Sequence, residues 1–343
     1  MKYEVDADIA SAHTLPGSFY SDREAFARCR EKVFARSWQW LGNLADVGAP
    51  QSLSPRDLLP GLLDEPLLLA RDASGSLRCL SNVCTHRGNI LVKGPCAAKE
   101  IRCGYHSRRF DLAGRMTFMP EFNGAKDFPS PSDDLPRVEF REWAGHGFAS
   151  LDPMAAFDEF FDRVSQSVQG RAESLAHDPS RDRDYELHAS WALYVENYLE
   201  GFHIPFVHAG LDEAVDYGTY RTEIHRYSNV QLAATRDGEP AAQYWWIFPN
   251  LMLNFYPWGL SLNQVEPLGI DRTRVRFRSY VGDASKLAEG AGASLDRVEA
   301  EDEAIVHAVQ RGVRSRLYTR GRYSPTRERG VHHFHRLLCE ALA

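Results

Sequence analysis

Cys84-Thr85-His86-Arg87-Gly88-Asn89-Ile90-Leu91 and Cys103-Gly104-Tyr105-His106-Ser107-Arg108-Arg109-Phe110 decide how this chain is read. They set out C-x-H, then sixteen residues, then C-x-x-H. Two Cys and two His divided between two short loops suit one of two metal groups. One is a single zinc ion in a tetrahedron. The other is a [2Fe–2S] cluster with two thiolates on one iron and two imidazoles on the other. A nucleic-acid zinc finger places its His pair about three to five residues apart on one helix. Here one His stands beside each Cys, in Gly-containing loops that lead into strand-like sequence. That text favours the cluster, with zinc as the alternative.

The segment resembles the Rieske domain of the ring-hydroxylating oxygenase family. Rieske proteins of cytochrome complexes carry an extra Cys in each loop, paired as a disulfide. The matching places here are Asn89 and Tyr105, which disfavours that branch. Most oxygenases read His-Gly-Trp after the last ligand, whereas this chain reads His106-Ser107-Arg108-Arg109. The departure leaves Cys84, His86, Cys103 and His106 untouched. It falls on the surface beside the cluster, where an electron donor would dock.

A length of 343 residues favours two domains, and 43% apolar residues supply a real core. The net charge of −7, from 40 basic and 47 acidic residues, gives no sign of nucleic-acid binding. No stretch approaches eighteen continuous apolar residues, so no membrane span is expected. The N-terminus MKYEVDADIASAH lacks the pattern of a signal peptide, and a cytoplasmic location is the expectation. The six Cys are scattered, unlike a disulfide scaffold; Cys29, Cys79, Cys96 and Cys339 read as free thiols. Gly290-Ala291-Gly292-Ala293-Ser294 reads as a loop.

The fold class expected is α+β, in three segments. Residues 1–45 form an N-terminal helical segment that packs on the body. Ser21 is its expected N-cap, with Glu24 completing a capping box, and Phe26, Cys29, Val33 and Phe34 share one face. Residues 46–154 form an all-β domain. Leu67 to Arg71 is a buried strand, Asp72 to Ser76 a hairpin turn, and Leu77 to Asn82 the return into the first ligand loop. Rigid hairpins hold ligands at about 2.0–2.3 Å from a metal. Met119 to Pro136, rich in Pro and Asp, reads as a surface excursion. Residues 155–343 form the catalytic domain, opening on a helix over 155–178 with a break at Gly170.

A second metal motif lies in Trp191-Ala192-Leu193-Tyr194-Val195-Glu196-Asn197-Tyr198-Leu199-Glu200-Gly201-Phe202-His203-Ile204-Pro205-Phe206-Val207-His208. On an undisturbed helix His203 and His208 point about 140° apart. Pro205 is expected to distort that helix and bring the imidazoles together. A mononuclear iron(II) site needs two His and one carboxylate on one face of the metal. The helix from Leu295 to Val313 supplies candidates. Val298, Ile305, Val306, Val309 and Val313 make an apolar stripe. Asp302 falls within about 20° of its centre and Glu301 roughly 90° off it. An acid on a buried face must be neutralised, hydrogen-bonded or metal-bound. Asp302 is therefore the favoured ligand, Glu301 the alternative, while Glu299 and Glu303 read as solvated. The family resemblance agrees, placing the third ligand in an acidic helix just before text like Val309–Gly312. Glu200, three residues before His203, is placed to accept the free N–H of a metal-bound imidazole. The resemblance implies that Glu200 links His203 to His106 of a neighbouring subunit, and that Asn197 lies behind the ligands.

Residues 220–281 alternate as antiparallel strands. The resemblance implies a helix-grip catalytic domain, a curved antiparallel sheet wrapped around helices. The run from Tyr244 to Trp258 is core by default. A sharper reading places Trp245, Trp246, Phe255, Tyr256 and Trp258 around the substrate, where aromatic faces attract a quaternary ammonium. The texts ENYLEGFHIPFVH, FPNLMLNFYPW and RGRYSPTRERGVHHFHRLL resemble the choline monooxygenase and quaternary-amine branch of the family. His332, His333 and His335 in the last text read as surface or packing residues.

The resemblance implies the terminal oxygenase component of a Rieske non-haem iron oxygenase, a monooxygenase or dioxygenase carrying [2Fe–2S] and Fe(II). It would use O2 to hydroxylate or oxidatively dealkylate a small substrate such as a quaternary amine; an aromatic or natural-product substrate is the alternative. A Gly-rich dinucleotide fingerprint is absent, which implies a separate NAD(P)H-dependent flavin reductase, with or without a ferredoxin. The Glu200 bridge implies a homotrimer. The competing class is an electron carrier or zinc-binding protein without oxygenase activity.

Overall fold

The computed structural model describes residues 2–208, 210, 216–235, 237–238, 240–288 and 295–343. They divide into two units, Trp38–Met154 on the one hand and Met1–Ser37 with Ala155–Ala343 on the other. The run Gly290 to Ser294, read above as a loop, lies outside the described residues.

In the first unit ten strands follow one another. They are β1 (Gln39–Asn43), β2 (Ser52–Leu58), β3 (Glu65–Arg71), β4 (Leu77–Ser81), β5 (Cys96–Ala97), β6 (Ile101–Arg102), β7 (Arg109–Phe110), β8 (Met116–Phe118), β9 (Arg137–Trp143) and β10 (His146–Ser150). Seven form an antiparallel sheet in the order β1-β10-β9-β4-β3-β2-β5, and β6-β7-β8 form a second sheet. The middle of strand β3, Leu67 to Ala70, is apolar because both its faces are covered. Leu68 and Ala70 pack with Leu53, Leu80, Phe110, Cys84 and Cys103, whereas Leu67 and Leu69 pack with Val47, Leu58, Cys79 and Ala149. The first of these clusters puts the two candidate ligand Cys in the same core as the sheet. The turn after β3 forms as its residues demand: Asp72 Oδ1 accepts from the backbone of Ser74 and Ser76, and Gly75 takes φ +89°. The sequence left residues 39–43 with the N-terminal segment; instead they form β1 and pair with β10 inside this unit.

Among the described residues the second unit carries eight strands. They are β11 (Ala176–His177), β12 (Arg183–Leu187), β13 (Arg221–Ile224), β14 (Ser228–Ala234), β15 (Pro240–Ile247), β16 (Leu251–Tyr256), β17 (Gly259–Gly269) and β18 (Arg272–Val281). They form one antiparallel sheet, β11-β18-β17-β16-β15-β14-β13, with β12 also paired to β18. Helix α1 (Arg23–Cys29) is capped by Asp22, not Ser21. Ser21 ends a preceding 3-10 turn, whereas Asp22 has the extended backbone an N-cap needs, and its carboxylate accepts from the N–H of Glu24 and Ala25. Helix α2 (Phe157–Val168) buries Phe157, Phe160, Phe161, Val164 and Val168 and ends where Gln169 and Gly170 take positive φ. The described residues of this unit also form helices α3 (Trp191–Tyr198) and α4 (Ile204–Val207), an acidic helix Leu295–Val313 and a C-terminal helix Arg329–Leu342. Among the described residues no helix is long and apolar enough to cross a membrane.

Candidate active site

The two ligand loops close in the same way. Cys84 N–H donates to Asn89 O (2.8 Å) and Gly88 N–H to Cys84 O (3.0 Å); Cys103 N–H donates to Arg108 O (2.8 Å) and Ser107 N–H to Cys103 O (3.1 Å). Both loops need a left-handed residue, supplied by Gly88 at φ +68° and, less comfortably, by Ser107 at φ +60°. The thiol groups of Cys84 and Cys103 are buried, and the His86 and His106 rings lie 4.8 Å apart. Cys103 Sγ accepts from the N–H of Tyr105 (3.4 Å) and from Asn89 Nδ2 (3.6 Å). Burial works to raise the Cys103 thiol, but the N–H groups of Tyr105 and His106 outweigh it and hold the pKa below its ordinary value. His106 Nδ1 is buried with no hydrogen-bond partner. An orphaned imidazole nitrogen, two buried Cys and sulfur-directed N–H donors fit a [2Fe–2S] cluster held by two Cys and two His.

Two features here escaped the sequence. Arg108, expected on the surface, is buried at 2% exposure, held by Asp133 and Thr85. The excursion 119–136 reaches over the loops, with the Phe122 ring 5.6 Å from that of His86. A Pro/Asp-rich text signals only exposure, so these partners could not be read from it.

The second candidate centre is built by a break in the chain. Helix α3 ends at Leu199, whose N–H is shared by Val195 O and Glu196 O. A new helical turn, α4, starts after His203 with Pro205 inside its first turn, where a missing N–H does no harm. Pro205 therefore does not distort a continuous helix, as the sequence suggested; the break lies before it. At Gly201 the chain passes so close to Tyr220 that a Cβ would stand 2.5 Å from the ring. His203 and His208 flank α4, with ring centroids 5.0 Å apart. Asp302 Oδ1 lies 3.0 Å from His208 Nε2 and 3.6 Å from His203 Nε2. One ligand atom from each of the three falls within 4.8 Å of the others. Two imidazoles and a carboxylate suit iron(II) with open positions.

Each imidazole is held from behind. Glu200 Oε1 is 2.6 Å from His203 Nδ1, and Glu301 Oε2 is 2.8 Å from His208 Nδ1. Asn197 Nδ2 donates to Asp302 Oδ1 at 2.7 Å. Asp302 thus stands among the inward nitrogens, while Glu301 takes the outer face of His208. The helix is rotated relative to the expected stripe. Glu299, Val306, Gln310 and Val313 are buried, whereas Ile305 and Val309 are exposed. Polar partners permit this: Tyr194 Oη donates to Glu299 Oε2 (2.7 Å), and Ser190 N–H to Gln310 Oε1 (2.7 Å).

His203, His208 and Asp302 open into a cavity walled by Tyr194, Tyr198, Tyr220, Tyr244 and Tyr256, with Asn254 and Glu299. Burial raises the pKa of all five Tyr, so their hydroxyls stay neutral. Burial, with the nearby Asp302 and Glu303 charges, pushes Glu299 up to about 8, while its bond from Tyr194 works the other way. Glu299 is therefore not the solvated acid expected; its Oε1 is buried without a partner. Of the five aromatic residues proposed around the substrate, Tyr256 lines the cavity, but Trp245, Trp246, Phe255 and Trp258 do not. Strand alternation is the reason. The cross-strand pair Tyr244–Asn254 faces the cavity, so Gln243–Phe255 and Trp245–Leu253 face away, with Trp245 stacked on His225. Trp246 packs further along, on Phe334 of the C-terminal helix, and Trp258 stacks behind Tyr256. Tyr198, Tyr220 and Tyr244 were missed because three separate elements bring them together.

Residues 38–129 match the family model described as the Rieske [2Fe-2S] domain, and residues 218–343 match the ring hydroxylating alpha subunit catalytic domain. The chain belongs to the Rieske-type ring-hydroxylating oxygenases, as an oxidoreductase whose two domains imply a Rieske cluster and a mononuclear iron. Its relatives include the chloroplastic choline monooxygenase of Arabidopsis thaliana, 28% identical over 98% of this chain and 85% of that protein. Another is the carnitine monooxygenase oxygenase subunit of Escherichia coli K12, 27% identical over 97% and 95%. Among solved structures, a quaternary ammonium Rieske monooxygenase bound to L-carnitine superposes with a TM-score of 0.78 at 24% identity, covering 98% of this chain and 97% of that one. A naphthalene 1,2-dioxygenase gives 0.73 at 16%, covering 96% and 92%.

Proposed function

We propose that Cys84, His86, Cys103 and His106 hold the [2Fe–2S] cluster and that His203, His208 and Asp302 hold iron(II), oxidising a quaternary amine. The observation that carries this reading is the convergence of His203, His208 and Asp302 on a cavity lined by five neutral Tyr. When bound, the two groups supply single electrons and an iron that activates O2. The chain's residues do the rest. Glu200 and Glu301 fix the two imidazoles through Nδ1, leaving Nε2 free to bind. Asn197 keeps Asp302 turned toward them. The Tyr faces attract a quaternary ammonium while their hydroxyls, those of Tyr198 and Tyr220 donating to Asn254 and Gln231, carry no charge. The unit Trp38–Met154 serves as the electron-entry domain and residues 155–343 as the catalytic domain.

Electrons come from an NAD(P)H-dependent flavin reductase, directly or through a ferredoxin. The assembly is a homotrimer in which Glu200 links His203 to His106 of a neighbouring copy. Support comes from relatives that oxidise choline or carnitine, and from one solved relative described by inter-subunit electron transfer. The test is iron and acid-labile sulfide per chain, EPR of the reduced protein, and turnover with a reductase on quaternary amines beside aromatic acids. About three irons and two sulfides with oxidation of a quaternary amine is the expected result. Turnover of aromatic acids alone would overturn the substrate assignment. His208→Ala should abolish turnover with an unchanged cluster spectrum; an electron carrier would not notice the change.

A further inference from the structure

Arg108 stands two residues after His106, at the end of the second ligand loop. Its guanidinium joins three pieces of chain. Nη1 donates to Thr85 Oγ1 at 2.8 Å, inside the first ligand loop between Cys84 and His86. Nη2 donates to Asp133 Oδ1 at 2.6 Å. Thr85 Oγ1 donates in turn to the Asp133 carbonyl at 2.7 Å, which closes a ring of hydrogen bonds. Asp133 is itself fixed by Ser130 N–H at 2.9 Å, and Phe128 covers the guanidinium at 5.5 Å. The group is 2% exposed, so water screens its charge little.

We propose that Arg108 is a positioning residue of the cluster site: it ties both ligand loops to the 119–136 excursion and holds a fixed positive charge beside the cluster that favours the reduced state. The inference rests on the reading that Cys84, His86, Cys103 and His106 hold the cluster. Adding one electron, from the reductase or from dithionite in a titration, takes the iron pair from diferric to ferric–ferrous and adds one negative charge. A buried cation nearby stabilises that charge, and a buried anion opposes it. Asp133 compensates Arg108, so the two residues act on the potential in opposite directions.

The experiment uses full-length Arg108→Gln, Arg108→Lys and Asp133→Asn proteins. Sulfide content is measured first, then the midpoint potential by dithionite titration followed by EPR. Arg108→Gln is expected to move the ratio of reduced to oxidised cluster at a fixed potential about tenfold toward oxidised, roughly 59 mV for one electron. Asp133→Asn should move it the other way, and Arg108→Lys should stay within about twofold of the unsubstituted protein. Full sulfide with midpoints unmoved in Arg108→Gln and Asp133→Asn overturns the proposal. So does loss of sulfide from both Arg108 variants, since the residue would then act by shape and not by charge. Loss from Arg108→Gln alone, with Lys retaining cluster and potential, supports it. An unsubstituted protein without two sulfides per chain refutes the cluster reading itself, not this inference.

Discussion

Asp302 and Glu301 are adjacent acids with different tasks. Asp302→Ala should remove the mononuclear iron and all turnover while leaving the sulfide content intact. Glu301→Gln should keep the site but weaken iron binding by about 10- to 100-fold, because the partner of His208 Nδ1 is weakened and not the ligand. Iron titration of both variants checks this. The sequence singled out Asp302 by its angle on the helix, and the structure puts its Oδ1 beside both inward nitrogens. Glu299 was not legible, because its burial depends on Tyr194 of another helix. Its carboxyl, raised to about 8, gives a signed expectation. Between the ordinary carboxylate pKa and about 8 the folded chain keeps a proton that the unfolded chain releases. Its contribution is therefore fully present at low pH and is lost as pH rises through that window. Urea unfolding of iron-free protein should show Glu299→Gln gaining relative to the parent between pH 5 and pH 8.

At the scale of elements, the break before α4 makes a contrast. Pro205→Ala should change stability by less than about 1 kcal/mol and leave iron binding intact, because Pro205 begins the turn and does not cause the break. Gly201→Ala should destabilise by about 1–3 kcal/mol and lower iron content, since the new methyl meets the Tyr220 ring. Urea midpoints and iron analysis separate the two. The hairpin of β3 and β4 was legible because apolar runs and turn chemistry are local. The face of the acidic helix was legible only in part. An apolar stripe predicts burial when the partner is apolar, but Ser190 and Tyr194 offer hydrogen bonds and turn Gln310 and Glu299 inward. The aromatic run failed likewise, since alternation in β15 and β16 sends Trp245 and Phe255 to the far face.

For the molecule as a whole, the two metal motifs were readable because ligand spacing is a property of the chain. The cavity was not, because its walls come from α3, the acidic helix, the segment before β13, and strands β14 to β18. The two centres are built from separate stretches of sequence. A mild iron(II) chelator should therefore abolish turnover while leaving sulfide content and the cluster's EPR signal unchanged, and added Fe(II) should restore turnover. Loss of the cluster signal along with turnover would contradict that independence.

His203 and His208 are held through Nδ1 by Glu200 and Glu301, and Asp302 by Asn197. Protein atoms thus hold all three side chains of the candidate ion site. A receptacle of that kind is rigid toward geometry yet tolerant of identity: cobalt(II), nickel(II) or manganese(II) should enter without altering the circular dichroism of the chain. Affinity among such ions follows their general order and not the needs of the reaction. Which metal the protein carries is then a matter of what its surroundings supply, and an inactive preparation can be a correctly folded one filled with the wrong ion.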